Sequence, residues 1–352
     1  MVVDDSVVVR GLISRWLEES GEFEVAGTAA NGRAALDSLD KSDPDIVLLD
    51  IEMPELDGIA TLPLMLAKRP RLSVVMISTL TQRNADISLK CLSLGAVDYL
   101  AKPDGNRQVS TSATFRADLV AKLKGLGTSR GRGRAAPAPP TAAPALPVKI
   151  ATRPRTATAA PRCLLVGAST GGPKVVGEVL AGIGPSLRRV PVLVVQHMPP
   201  VFTAVFAEHL RVQTGLPTRE AEHGERLVPG RVYVAPGGRH MGLIREGGGV
   251  CVRLDDGPLV NFCRPAVDVL FRDAAEIFGA SALALVLTGM GSDGTVGARA
   301  LVEAGAPVLV QDEATSTVWG MPGSIAKAGL AHDVLSLSAI APSIRQHLGS
   351  AA

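Results

Sequence analysis

Residues 45–58 read DIVLLDIEMPELDG: the apolar run Ile46 to Leu49 stops on Asp50 and passes into a segment carrying Pro54 and Gly58. Such a run, bounded by turn residues, describes a short strand buried on both faces. The same grammar extends to either side. Strand-like runs at Val2-Val3, Phe23 to Gly27, Val74 to Ile77 and Tyr99-Leu100 alternate with helical patterns. Between the first two, Leu12, Ile13, Trp16 and Leu17 share one helical face. Five strands alternating with helices predict an α/β unit with a five-stranded parallel sheet covered on both sides.

Chemistry-bearing residues gather at one end of that sheet. Asp4 and Asp5 follow the first run, Asp50 the third, Ser78 closes the fourth, and Lys102 ends the fifth in YLAKP. All lie at carboxyl ends of parallel strands, where open α/β sheets place their sites. Three converging carboxylates repel one another unless a divalent cation lies between them, and oxygen-only ligands with open positions favour Mg²⁺. A lysine and a hydroxyl beside them suit the oxygens of a phosphoryl group, so phosphoryl transfer to a carboxylate is the natural inference. Across its whole length this segment resembles a two-component response-regulator receiver domain. The resemblance implies a flavodoxin-like fold with Asp50 as phosphoacceptor. It also implies Mg²⁺ bound by Asp4, Asp5, Asp50 and the backbone carbonyl of Glu52, with Ser78 and Lys102 contacting the phosphate. Only Met1, Val2 and Val3 precede the acidic pair, fewer strand residues than receivers usually have.

From about Gly125 to Pro161 the composition changes to Pro, Ala, Gly and Arg, with little periodic apolar surface to bury. This predicts a flexible tether at 123–160, between a first domain at 1–122 and a second at 161–348. The RGRGR run inside it is short enough to be a solvated tether rather than a nucleic-acid contact. Beyond it the rhythm of strand and helix returns. Cys163 to Val166, Val192 to Val195, Arg231 to Val234, Ala282 to Leu287 and Pro307 to Val310 are strand-like, mostly followed by Gly or Pro and a helical pattern. A second doubly wound, mostly parallel α/β domain follows from this.

Its first run leads into LLVGASTGGP, where Gly167 to Gly171 spell G-x-S-x-G around Ser169 and Pro173 suits the first turn of a helix. Small neighbours permit a tight strand-to-helix turn that exposes the serine, with helix amides facing a developing oxyanion. A serine nucleophile needs a base. Of the six histidines, His197 lies just past the run VPVLVV, whereas His240 follows its run by a turn and is weaker. His209 and His223 occupy polar contexts, His332 lies late in a loop, and His347 is near the end of the chain. Asp293, in LVLTGMGSDG, offers an acidic partner. Two orders fit, Ser169-His197-Asp293 and Ser169-Asp293-His332, and placement at strand ends favours the first.

The set GASTGG, QHMPP, APGGRHM, LTGMGSDG and WGMPGS resembles the catalytic domain of the chemotaxis protein-glutamate methylesterases, the CheB family, from about Cys163 to Leu337. That resemblance implies a phosphorylation-activated serine hydrolase with Ser169, His197 and Asp293 as its catalytic triad. Backbone N–H groups of Thr170 and Met290 would form its oxyanion site. The expected reactions are hydrolysis of glutamate methyl esters on methyl-accepting chemoreceptors and deamidation of receptor glutamines. A chemotaxis histidine kinase would be the phosphoryl donor, and the catalytic domain would need no cofactor. Global features agree. With a formal net charge of +2, close to neutral, nothing global argues for nucleic acid or an anionic membrane surface, and no nucleic-acid partner is expected. No apolar run reaches the roughly 18 residues that span a bilayer, which argues against membrane insertion. Cys91, Cys163, Cys251 and Cys263 form no C-x-x-C, so buried reduced thiols in a cytoplasmic protein are expected rather than a disulfide framework or a zinc site.

Overall fold

The computed structural model of the chain describes residues 1–102, 112–131 and 159–349. The chain divides into two compact units, Met1–Ala135 and Ala136–Ala352.

In the first unit β1 (Val2–Val3), β2 (Thr28–Ala29), β3 (Ile46–Asp50), β4 (Ser73–Thr79) and β5 (Asp98–Lys102) alternate with α1 (Val7–Glu19), α2 (Gly32–Ser42), α3 (Gly58–Lys68) and α4 (Gln82–Ser93), and α5 (Ala113–Gly131) comes last. The strands form one parallel sheet in the order β2-β1-β3-β4-β5. The helix starts are written into the sequence as polar caps. Ser6, Asn31, Asp57 and Thr81 each accept a hydrogen bond from the backbone N–H three residues on. One helical face buries Ile13, Trp16 and Leu17, and Trp16 meets Phe115 edge to face. Phe23–Gly27 is not a strand. The ladder next to β1 is two residues long, Val2 with Thr28 and Val3 with Ala29, because β1 itself supplies only two residues to pair with. The last helix, α5, continues past 122 to Gly131, and the rest of the expected tether up to 158 lies outside the described residues.

The second unit contains β6 (Cys163–Ala168), α6 (Gly172–Ile183), β7 (Val192–Gln196), α7 (Phe202–Thr214), β8 (Thr218–Glu220), β9 (Val232–Val234), β10 (His240–Glu246) and β11 (Gly249–Asp255). It continues with α8 (Val267–Phe278), β12 (Ala282–Val286), α9 (Thr295–Glu303), β13 (Val308–Gln311), α10 (Met321–Lys327), β14 (Asp333–Leu335) and α11 (Leu337–Leu348). Seven strands form a parallel sheet in the order β14-β13-β12-β6-β7-β9-β8. Strands β6, β7 and β12 are buried along their whole length, as their unbroken apolar runs require. Each fully buried Val or Leu contributes about 1.5–3 kcal/mol. β10 and β11 form an antiparallel hairpin outside this sheet, turning at Gly247 and Gly248, both at positive φ. The chain leaves β6 in one direction through β7 and returns on its other side at β12. The reversal of strand order therefore falls at β6, and it leaves a crevice at the carboxyl ends of β6, β7 and β12.

Candidate functional site

Ser169 leaves β6 in a turn built for close approach. Gly171 sits at φ +76°, and a Cβ there would meet Thr317 Oγ1 at 2.4 Å. Gly172 N–H donates to Ser169 O at 2.7 Å, and Gln196 Nε2 donates to the same carbonyl at 2.9 Å. Thr288 fixes the turn from the neighbouring strand: its carbonyl accepts from Ser169 N at 3.0 Å, and its hydroxyl donates to Thr170 O at 2.9 Å. Gly289 presses directly against the serine, since a Cβ on it would lie 2.9 Å from Ser169 Cβ. The backbone N–H groups of Thr170 and Met290 make no hydrogen bond to another protein group among the described residues. Helix α6 opens on Gly171 with no side-chain cap; the N–H of Gly172 is turned back on Ser169 O and Pro173 has none.

His197 follows β7, its N–H held by Ala168 O at 3.1 Å. Its Nε2 lies 2.8 Å from Asp293 Oδ2. A proton on Nε2 directed at that carboxylate leaves the lone pair on Nδ1, which faces Cys263 Sγ at 3.5 Å. Burial opposes charge on this ring. The bonds to Asp293 and Cys263 outweigh it and raise the imidazole pKa from its ordinary value to about 10.

Asp293 is buried and saturated with donors. Oδ2 accepts from Val267 N at 2.6 Å, and Oδ1 accepts from Asp268 N at 3.1 Å, Gly294 N at 2.9 Å and Asn261 Nδ2 at 3.0 Å. Asp293 thus caps the N-terminus of α8, while Asp268, in the first turn of α8, accepts from Gly297 N of α9 at 2.7 Å. Each helix start is capped by a carboxylate from the other, and Asn261 Nδ2 bridges both acids, reaching Asp268 Oδ2 at 2.8 Å. Burial pushes both carboxyls up. At Asp293 the His197 hydrogen bond and the amides reverse this and hold it below the usual carboxylate range, whereas Asp268 stays raised.

The structure therefore brings Ser169, His197 and Asp293 to the ends of three adjacent strands. His332 lies elsewhere. It precedes β14, and its Nδ1 accepts from Val308 N at 3.1 Å, at the amino ends of the strands. His240 Nε2 bonds Pro258 O at 2.9 Å, and His223 Nδ1 accepts from Leu254 N at 3.2 Å. Sequence reasoning missed Asn261, Asp268 and Cys263. Cys263 is a correction as well: Cys91, Cys163 and Cys251 are the buried thiols expected, but Cys263 is half-exposed and faces the histidine.

In the first unit Asp4, Asp5 and Asp50 place carboxylate oxygens within 4.8 Å of one another. Lys102 Nζ bridges Asp50 Oδ2 at 2.8 Å and Asp4 Oδ2 at 3.3 Å. Burial, partly offset by Lys102 and reinforced by Asp4, pushes the Asp50 carboxyl up to about 7. A cluster of hard carboxylate oxygens, with Asp4 and Asp50 buried and Asp5 exposed to solvent, suits a Mg²⁺ ion that keeps some of its waters. Glu52 lies just beyond Ile51, whose N–H donates to Asp50 Oδ1 at 2.9 Å. The Ser78 hydroxyl is buried at the end of β4 and engages Ser88 Oγ at 2.9 Å.

Residues 164–344 match the CheB methylesterase family model, and residues 1–113 match the response regulator receiver domain model. A protein-glutamate methylesterase/protein-glutamine glutaminase of Nitrobacter hamburgensis is 50% identical, across 98% of this chain and 92% of that protein. A second from Caulobacter vibrioides is 46% identical across 100% of this chain and 99% of its own length. The crystal structure of the Thermotoga maritima CheB methylesterase catalytic domain, 39% identical, superposes with a TM-score of 0.51, covering 53% of this chain and 99% of that one.

Proposed function

Since the chain belongs to the CheB methylesterase family, we propose that Ser169, His197 and Asp293 are its catalytic triad and that Asp50 receives the phosphoryl group that regulates it. The protein is a phosphorylation-regulated chemotaxis enzyme, a protein-glutamate methylesterase and protein-glutamine glutaminase, with a receiver unit preceding the hydrolase unit. The observation that carries the assignment is the 2.8 Å contact of His197 Nε2 with Asp293 Oδ2, one strand from the serine turn.

Ser169 Oγ attacks the side-chain carbonyl of a methylated glutamate on a receptor as His197 Nδ1 takes its proton. The oxyanion is held by the N–H groups of Thr170 and Met290. The imidazolium, stabilised by Asp293, returns the proton to the leaving methanol, and water then hydrolyses the acyl-enzyme by the same steps. With glutamine as substrate the leaving group is ammonia. In the receiver, Asp4, Asp5, Asp50 and the Glu52 carbonyl would hold Mg²⁺. That ion would supply neutralisation of the carboxylates and the incoming phosphoryl oxygens. Lys102 and Ser78 would orient those oxygens. Methyl-accepting receptors as substrates, a chemotaxis histidine kinase as donor and a cytoplasmic location complete this reading. Among the described residues no helix is long and apolar enough to cross a membrane.

The test is mass spectrometry of a methylated receptor fragment incubated with the full chain, with and without a small acyl-phosphate donor and Mg²⁺. Ser169→Ala and His197→Ala should each lower kcat by roughly 10⁴–10⁶, with the double variant little worse than either single one. Independent, additive losses would sink the shared role. Asp50→Ala should abolish the response to the donor.

A further inference from the structure

We propose that Cys263 and His197 form an inhibitory site for a thiophilic divalent cation, Zn²⁺ above all, that shuts the hydrolase by occupying its base. The inference rests on the reading of His197 as that base. Sequence spacing gives no zinc signature, because the two ligands are 66 residues apart. The fold brings them together. His197, Cys263 and Asp293 place ligand atoms within 4.8 Å of one another, offering nitrogen, sulfur and oxygen.

The geometry is specific. Zn–N bonds of about 2.0–2.1 Å and a Zn–S bond of about 2.3 Å at a tetrahedral angle set the ligand atoms about 3.5 Å apart. The Nδ1–Sγ separation is 3.5 Å. On the far side of the ring Asp293 Oδ2 holds Nε2 at 2.8 Å, the carboxylate–histidine arrangement that fixes the tautomer and makes the other nitrogen a better metal ligand. The ion has access: Cys263 is half-exposed, and the neighbouring Phe262 is 97% exposed. The remaining coordination positions fall to solvent. Binding releases the thiol proton together with any proton on Nδ1, and it engages the Nδ1 lone pair, which is then closed to the serine proton. Thiolate and imidazole select Zn²⁺ or Cd²⁺ over Mg²⁺, so the receiver's ion and the inhibitor do not compete for the same ligands.

The experiment titrates Zn²⁺ into the full chain in saturating Mg²⁺ and follows ester hydrolysis, each variant normalised to its own zinc-free rate. Wild-type activity should fall and return with a chelator. Cys263→Ser should raise the inhibitory zinc concentration at least tenfold, and Cys263→Ala likewise. Co²⁺ should give a thiolate-to-metal charge-transfer band that Cys263→Ser removes and Cys251→Ala keeps. Unchanged zinc sensitivity in both Cys263 variants, or a band that survives Cys263→Ser, overturns the site. A Ser169→Ala protein that still hydrolyses ester would instead overturn the triad, whatever zinc does.

Discussion

At His197 two groups compete for one ring. Asp293 holds Nε2, and Nδ1 must be free of a proton before it can accept one from Ser169. Because the imidazole pKa is raised to about 10, kcat/KM should climb with pH well past the ordinary histidine value. The same shift acts on stability in the opposite sense. A histidine bound more tightly to its proton in the folded state stabilises the fold fully below about 6.5, and that contribution disappears as pH rises through about 10. Asp293→Asn removes the charge that favours the imidazolium, so the acid limb of the kcat/KM profile should move to lower pH while its plateau falls. A limb that stays in place would remove His197 from the role of base. Ser169, His197 and Asp293 were legible in the sequence because each follows an apolar run, and in a parallel sheet that places them at one edge. Asn261, Cys263 and Asp268 were not. The first two occupy a loop without period, with Asn261 and Phe262 both at positive φ, and chain order says nothing about which strand end such a loop will cover.

Two helices depend on a pair of exchanged carboxylates. α8 begins at Ala266 without a side-chain cap of its own and takes Asp293 instead, while α9 begins at Gly294 and takes Asp268. Asp293→Ala therefore removes a cap and strands buried amides as well as losing the triad. We expect it to destabilise the second unit by about 2–4 kcal/mol. Ser169→Ala should leave stability within about 0.5 kcal/mol. Denaturant unfolding followed at Trp319 separates the two, and equal midpoints would show that the cross-capping does not hold the helices. Reading the elements from sequence succeeded for the long buried runs, whose apolar residues had no other solution. It failed where length was set by a partner. Phe23–Gly27 has apolar residues enough for a strand, but β1 offers two residues to pair with. The three-residue edge strands β8 and β14 carry too little pattern to stand out. The hairpin β10–β11 did carry a signal, the Gly247–Gly249 turn between strand-like runs, and the parallel rhythm around it masked that signal.

Across the whole molecule both sites sit where strand order reverses, at β1 in one sheet and β6 in the other. Each site joins residues far apart in the chain: Lys102 meets Asp4 across 98 positions, and His197 meets Asp293 across 96. During synthesis the receiver's sheet is complete once β5 has emerged. The second sheet is not so fortunate. β6 can pair with β7 early, but its other edge stays bare until β12 arrives more than a hundred residues later, carrying Asp293 just behind it. A ribosome paused before residue 282 should therefore display a protease-resistant receiver followed by a protease-sensitive, adhesive half-sheet. Release of the pause through Leu348 should bring resistance and ester hydrolysis together. Limited proteolysis of arrested nascent chains would test this, and early resistance of the second half would show that β6 finds cover elsewhere. The order in which the gene is read thus makes the enzyme controllable before it is active, since the unit that receives the signal folds before the unit that acts on it.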